Sequence, residues 1–279
     1  MGEGQLVTRA RGAAHRSDGS DWLDVAARVG LAAYGVVHLV IAWLAIQLAF
    51  GDREGSASSS GAVNELAQQP FGQVLVWAVA VGMLLLVVWQ GIEAISGHRD
   101  EDGAKRTGKR GVSAGKAVVY GAIGVSAFRA ATGSGSSGKK SEKQTDSLTA
   151  RLMDLPAGQL LVAAVGLVIL GIGVAFAVRA WTEKYAKHLS SEGRSGDTGT
   201  AYLWLGKVGY AAKGVALGVV GGMFLYAAAT HDADESGGLD QALREVLDKP
   251  FGPVLLTVIA VGIGCYGLFC LARSRHLSR

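Results

Sequence analysis

Few side chains in this 279-residue chain could do chemistry, and those that could lie in apolar surroundings. His38 and Tyr34 stand one helical turn apart on a shared face. His38 lies nine residues beyond Val29, where its apolar run begins, so it sits about 14 Å into a helix rising 1.5 Å per residue, near the middle of a bilayer. An ionisable group at that depth is a candidate proton or substrate contact. The bland alternative is a neutral histidine hydrogen-bonded to a neighbouring helix, and the matching positions later in the chain, Gly124 and Leu217, favour it. Lys213 occupies the position of Tyr34 and Tyr120 in its own run. It is read either as a buried cation on an axis or, preferentially, as a lysine whose long stem snorkels to the headgroups. Arg129 stands three residues from the end of its run, within reach of phosphates.

Glu93, Arg179 and Arg273 form a second constellation, each 23 residues after a proline (Pro70, Pro156, Pro250). The spacing predicts one ring of an acid and two bases, either an ion-pair latch or the mouth of an anion site; the competing reading is independent interfacial charges, since exposed pairs contribute little. "GSGSSGKK" from Gly133 imitates a phosphate loop, but Lys140 replaces the hydroxyl that would hold magnesium and no strand precedes it. No cluster has metal-ligand spacing, and neither a nucleophile elbow nor a catalytic carboxylate pair is visible, so no enzyme activity, cofactor or metal is expected. Cys265 and Cys270 are five apart on one helix and point to different faces, so no disulfide framework is expected.

The elements that must position these groups are long apolar runs. With 49% apolar residues, 18% charged and 41 glycines, the chain is unlike a water-soluble surface. Six segments are long enough to cross a hydrocarbon core of about 30 Å: Val29 to Phe50, Phe71 to Ile95, Val112 to Ala131, Ala157 to Trp181, Leu205 to Ala229 and Phe251 to Leu271. They are apolar all round, as lipid-facing helices are. Trp22 and Trp181 lie near span ends, where interfacial anchoring explains them. Residues 1–24 are polar and show no cleavable secretory signal.

Eighteen Lys and Arg residues outside the spans or in their end turns fall on the side of the two termini and seven on the other. Positive charge is retained in the cytoplasm, so both termini are expected there, in a bacterial plasma membrane. A basic groove with interleaved aromatics is missing, and nucleic acid is not an expected partner.

Laid against itself, the chain shows three tandem hairpins. Pro70-Phe-Gly72, Pro156-Ala-Gly158 and Pro250-Phe-Gly252 each open the second span of a pair, and Gly35, Gly121 and Gly214 lie 35, 35 and 36 residues upstream in the first spans. Before each proline lies a short amphipathic piece, carried by Val63, Leu66 and Ala67, by Leu148, Leu152 and Leu155, and by Leu239, Leu243 and Val246, fit to lie flat on the outer membrane surface. The proline and glycine are expected to be a joint, with phenylalanine anchoring at the interface and glycine letting the hairpin partners close. Gly214, Gly218 and Gly222 form overlapping G-x-x-x-G steps, a helix-packing face.

The expected architecture is therefore all-α: six transmembrane helices as three parallel-oriented helical hairpin repeats, with short amphipathic helices on the outer surface. Its parts are a polar tail (1–24), repeat 1 (25–96), a basic loop (97–111), repeat 2 (112–181), a loop (182–203), repeat 3 (204–272) and a basic tail (273–279). An even number of spans per repeat implies an axis along the membrane normal and approximate threefold symmetry.

The recurrence of a glycine-bearing first span, an amphipathic piece and P-x-G over about residues 25 to 275 resembles the bacterial membrane family called domain of unknown function 1206, which carries three such two-helix units. Pro156-Ala157-Gly158 departs from the Pro-Phe-Gly of the other repeats. The family has no assigned activity, so the resemblance implies architecture and location and no catalytic residue. The functional expectation is a structural or accessory membrane component, with the lipid bilayer and another membrane protein as partners. The alternative is a small transporter or channel along the threefold axis, recognisable by a polar axis lined by His38, Tyr34, Tyr120 and Lys213 in place of one closed by glycine and leucine.

Overall fold

The computed structural model describes residues 3–51, 56–97, 103–133, 149–155, 157–190 and 195–276, with the side chains of 3–24, 187 and 188 excepted. Pro156, Trp22 and nearly all of the phosphate-loop imitation lie outside them. The described residues contain no β-strand. In order they form α1 (Glu3–Ala49), α2 (Ser59–Gln68), α3 (Gly72–Ser96), α4 (Gly103–Ala131), α5 (149–153), α6 (Gly158–Thr182), α7 (Gly196–Thr230), α8 (Leu239–Leu247) and α9 (Gly252–Arg275). Short 3-10 turns cover Lys184–His188 and Ala233–Glu235. The 25 residues Val25–Ala49 of α1, together with α3, α4, α6, α7 and α9, are long and apolar enough to cross a membrane.

Helix runs past the apolar segments. Residues 103–111, expected as loop, form the first turns of α4, because lysine, arginine and threonine there include no proline to stop a helix already nucleated by its apolar half. Likewise α1 begins at Glu3, inside the expected tail.

The three hairpins form a ring in the order α1, α3, α4, α6, α7, α9, with α9 returning to α1 and the ring left open between α4 and α6. The most extensive interfaces lie between hairpins: α3 on α4, α6 on α7, and α9 on α1. Glycines set these contacts. A methyl group on Gly35 would come within 2.9 Å of the Gly267 carbonyl oxygen, and one on Gly214 within 2.9 Å of that of Gly173. Gly267 and Gly173 each lie 17 residues after their repeat's proline, and Val87 holds that position in the third interface, 3.9 Å from where a Gly121 methyl would be. The same backbone approach thus recurs three times around one axis, and it is looser where valine replaces glycine.

Within hairpins the contacts are lighter and unequal. Gly82 lies against Ala33 in the first and Gly262 against Ala212 in the third. The matching pair in the second hairpin is Val119 and Val168, which are 52% and 63% exposed. Two β-branched side chains cannot share the space of an alanine and a glycine, and α4 and α6 form no interface comparable with the others. Only 17% of the apolar window of each is buried in the protein, against 61% in α1.

On α7 the packing stripe runs through Gly214 and Gly221, with the Gly218 backbone nitrogen 3.1 Å from where a Gly173 methyl would be, and it leaves out Gly222. A methyl on Gly221 would lie 2.8 Å from the Leu170 nitrogen, whereas Gly218 and Gly222 point their missing side chains into open space. Seven residues return a helix to within about 20° of its starting direction, and eight overshoot by about 80°.

At the joints, Phe71, Ala157 and Phe251 adopt left-handed backbone with φ of 62°, 62° and 61° and cap α3, α6 and α9. Each following glycine donates its N–H three residues back, Gly72 to Gln69 at 2.7 Å, Gly158 to Leu155 and Gly252 to Lys249 both at 2.8 Å. The glycines are small because the carbonyls of the preceding surface helix press on them; a methyl on Gly72 would lie 2.6 Å from the Ala67 oxygen. This corrects the expectation that they let hairpin partners close. The phenylalanines point outward, 85% and 82% exposed. The helices α2 and α8 do not lie apolar face down on lipid either. Val63 and Leu243 are buried, because α2 caps α1, α3 and α4 while α8 caps α7, α9 and α1.

Candidate functional site

Tyr34, Tyr120 and Lys213 each precede the repeated glycine of a first span. That glycine faces the neighbouring hairpin, so a residue one step back, rotated about 100°, turns into the ring. Three equivalent positions therefore converge on the axis. The Tyr34 and Tyr120 ring centroids lie 5.2 Å apart, edge to face, and Lys213 Nζ donates to the Tyr34 hydroxyl at 2.9 Å.

His38 completes the set. Its Nδ1 lies 2.9 Å from the Tyr34 carbonyl oxygen, which can only accept, so Nδ1 carries the proton and donates. The other ring nitrogen, Nε2, is then free to accept from Lys213 Nζ at 3.1 Å. Lys213 therefore reaches inward rather than snorkelling to the headgroups. The preference was decided by two acceptors on α1 that no local reading of α7 reveals.

The second spans supply aromatic walls. Lys213 Nζ lies 4.2 Å from the Tyr266 ring centroid, 5.1 Å from that of Tyr34 and 5.4 Å from that of Phe176. A cation over ring faces is stabilised by their quadrupoles. His38 is buried and Lys213 half-buried. Among the described residues no carboxylate contacts Lys213 Nζ. An ammonium has three donors, and two are accounted for.

The cage continues toward the end of the bundle that carries Glu93. Cys270 is in electrostatic reach of both Lys213 and Arg273, and Tyr120 and Tyr210 of Arg273. Lys116 on α4 is in electrostatic reach of Glu93, Arg179 and Arg273, which adds a fourth charge to the three positions that the repeat spacing singles out. The Arg273 Nε is buried and has no hydrogen-bond partner, and the Arg179 guanidinium lies 5.8 Å over Phe176. Three cations and one acid at this end, with Lys213 beyond them, make an axial column of mostly positive charge. Arg129 stands apart, exposed in the last turn of α4.

The opposite end is closed by the loops before the joints. The Asp240 carboxylate, buried on α8, accepts from the Ala57 N–H and from Arg244 Nε at 2.8 Å. The Ser236 hydroxyl donates to the Ala233 carbonyl at 2.8 Å and shares a hydrogen bond with the Thr149 hydroxyl at 2.9 Å. In both cases the loop of one repeat rests on the surface helix of the preceding repeat around the ring. At the charged end the turn Lys184–His188 inserts Tyr185, whose hydroxyl donates to the Leu203 carbonyl at 2.7 Å and whose ring stacks 5.3 Å from Tyr210.

Tyr266, Phe176, Lys116 and Tyr185 escaped sequence reasoning. The repeat register carries a signal for the first three: Tyr266 is 16 residues after Pro250, Phe176 is 20 after Pro156, and Lys116 aligns with Gly30 and Gly209. Tyr185 lies between repeats, where no register exists.

Three segments of the chain, residues 29–97, 112–183 and 208–276, match the family model "Domain of Unknown Function (DUF1206)". They cover most of the sequence and coincide with the three hairpins, and the chain belongs to that family. It is also similar to the "Uncharacterized protein YxxB" of Bacillus subtilis (strain 168), with 25% identity over 258 residues, 90% of each chain. No solved structure matches.

Proposed function

We propose that this member of the family is an integral membrane protein that holds a small anionic ligand at the centre of its hairpin ring, as an accessory binding component of the membrane. The observation that carries this reading is Lys213: an ammonium on the axis, held by Tyr34 and His38, only half-buried and without a contacting carboxylate. A buried cation without a counter-charge is costly, and an anion placed against its remaining donor offsets that cost. The column through Arg273, Arg179 and Lys116 attracts the same sign of ligand from the charged end. The eighteen basic residues on that side, against seven on the other, support placing it in the cytoplasm of a plasma-membrane protein.

The test is anion-dependent melting of the purified protein in non-ionic detergent, with chloride, phosphate and acetate at constant ionic strength. At least one is expected to raise the Tm of the wild type and leave Lys213→Met unmoved. Equal shifts in both proteins, or none in either, would remove the axial site.

The continuity of the polar column favours one second reading, a small transporter whose closed form has the joint end sealed by Asp240 and Ser236. Anion flux in liposomes, compared between wild type and His38→Ala, separates the two: binding without flux supports the accessory role.

A further inference from the structure

Among the described residues the gap between α4 and α6 is the largest departure of the pseudo-threefold ring from its own rule, and its walls have a definite chemistry. In the first and third hairpins the two spans meet through Ala33 and Gly82 or Ala212 and Gly262, and below them through Gly30 against Leu86 or Gly209 against Tyr266. The second hairpin has Val119 opposite Val168 and Lys116 opposite Ile172 at these positions. On α6 the apolar stripe continues through Val165 to Leu161, and Val165, Val168 and Ile172 are 38%, 63% and 46% exposed. Arg179 stands on the same stripe, seven residues beyond Ile172. From Arg179 to Val168 is roughly 16 Å of helix, about the depth of one leaflet.

We infer that this lateral groove binds one anionic phospholipid, its phosphate on Lys116, Arg179 and Arg273 and an acyl chain between α4 and α6. Charge complementarity selects this occupant. Lys116 and Arg179 stand on the two walls at one end of the apolar groove, with Arg273 of α9 and a single acid, Glu93, in electrostatic reach of Lys116, and Arg273 Nε is buried with no acceptor, which a phosphate oxygen would supply. A partner helix is disfavoured by the walls themselves, because close helix association needs small residues and these walls are valine and isoleucine. The basic groups also have the position expected of a lipid-headgroup site between transmembrane helices. The groove shares Lys116, Arg179 and Arg273 with the column that leads to the axial site but does not use Lys213, so a variant of Lys213 distinguishes the two.

Native mass spectrometry of the full chain released from detergent tests the inference, with phosphatidylglycerol and phosphatidylcholine of identical acyl chains as probes. Wild type is expected to retain one phosphatidylglycerol and to release phosphatidylcholine. Lys116→Gln with Arg179→Gln should weaken retention about tenfold or more, the scale of lost charge-assisted contacts. Val119→Ala with Val168→Gly gives the second hairpin the small pair of its siblings; it should also lose the lipid, although every cation remains. Lys213→Met should bind as wild type does, and glycerol phosphate should not compete. Equal retention of both lipids, unchanged phosphatidylglycerol binding in both double variants, loss of it in Lys213→Met, or competition by glycerol phosphate would each overturn the inference. So would a change of oligomeric mass in the Val119→Ala, Val168→Gly protein without a change in lipid, which would make a second copy the occupant.

Discussion

Lys213 and Tyr34 are 179 residues apart and belong to different hairpins, yet the Lys213 ammonium donates to the Tyr34 hydroxyl at 2.9 Å across the ring axis. The bond joins the third repeat to the first at equivalent positions, so the symmetry that brings them together also makes them chemically unlike. Two tyrosines and one lysine at three equivalent sites give a centre that has a cation and a hydroxyl to hold it. Three lysines would repel one another, and three tyrosines would carry no charge.

Tyr34→Phe removes that acceptor and leaves Lys213 with His38 alone. The expected loss is about 1.5–3 kcal/mol, the range for hydrogen bonds to charged groups, read as a lower Tm in detergent. In the background of Lys213→Met, which removes the charge, the same change should cost much less. Fully additive losses in the double variant would mean the pair is not coupled.

The turn Lys184–His188 gives a pH-dependent signature. Burial, reinforced by Glu183 and Tyr210, pushes the Tyr185 phenol from 10.0 up to about 12. A folded-state value above the unfolded one means that Tyr185 contributes fully below pH 10 and that this contribution is lost as pH rises through about 12. The ultraviolet titration of wild type minus that of Tyr185→Phe should isolate one phenol ionising near pH 12; no difference between the two proteins in that range would show that Tyr185 does not carry it.

The spans, the three hairpins and the equivalent positions of Tyr34, Tyr120 and Lys213 were legible because each repeat carries its own register marks, a proline and a glycine. What escaped was decided by other parts of the chain. Lys213 turns inward because α1 brings Tyr34 and His38 to it, and hydropathy along α7 contains no trace of that. The most extensive helix pairs join different hairpins, which a reading based on connectivity assigns to hairpin partners. Gly222 lost its place to Gly221 through the mismatch between a four-residue step and the helical turn. The apolar faces of α2 and α8 signalled burial without saying whether protein or lipid would cover them.

The joints predict an asymmetry between adjacent residues. Ala157 has φ of 62°, a conformation that costs an L-residue roughly 1–2 kcal/mol and glycine little. Ala157→Gly should therefore hold or raise the Tm. Gly158→Ala should lower it sharply, because the added methyl would run into the Leu152 and Met153 carbonyls. A destabilised Ala157→Gly would show that the alanine side chain has a packing role at this joint.

The three interfaces predict opposite signs for one substitution. Gly35→Ala places a methyl 2.9 Å from the Gly267 oxygen and 3.1 Å from Leu271, and Gly214→Ala places one 2.9 Å from the Gly173 oxygen and 3.0 Å from the Ala177 nitrogen. Both contacts involve backbone, which cannot move aside without separating the helices, so each change should cost about 1–3 kcal/mol. Gly121→Ala meets only Val87 Cγ2, at an ordinary 3.9 Å. There the higher helix propensity of alanine, up to about 1 kcal/mol, goes unopposed, and the Tm should hold or rise. Thermal melts of the three single variants in one detergent decide it. Equal destabilisation at Gly121 would mean that α3 and α4 approach as closely as the other pairs, and the looseness of the ring around the second hairpin would be lost with it.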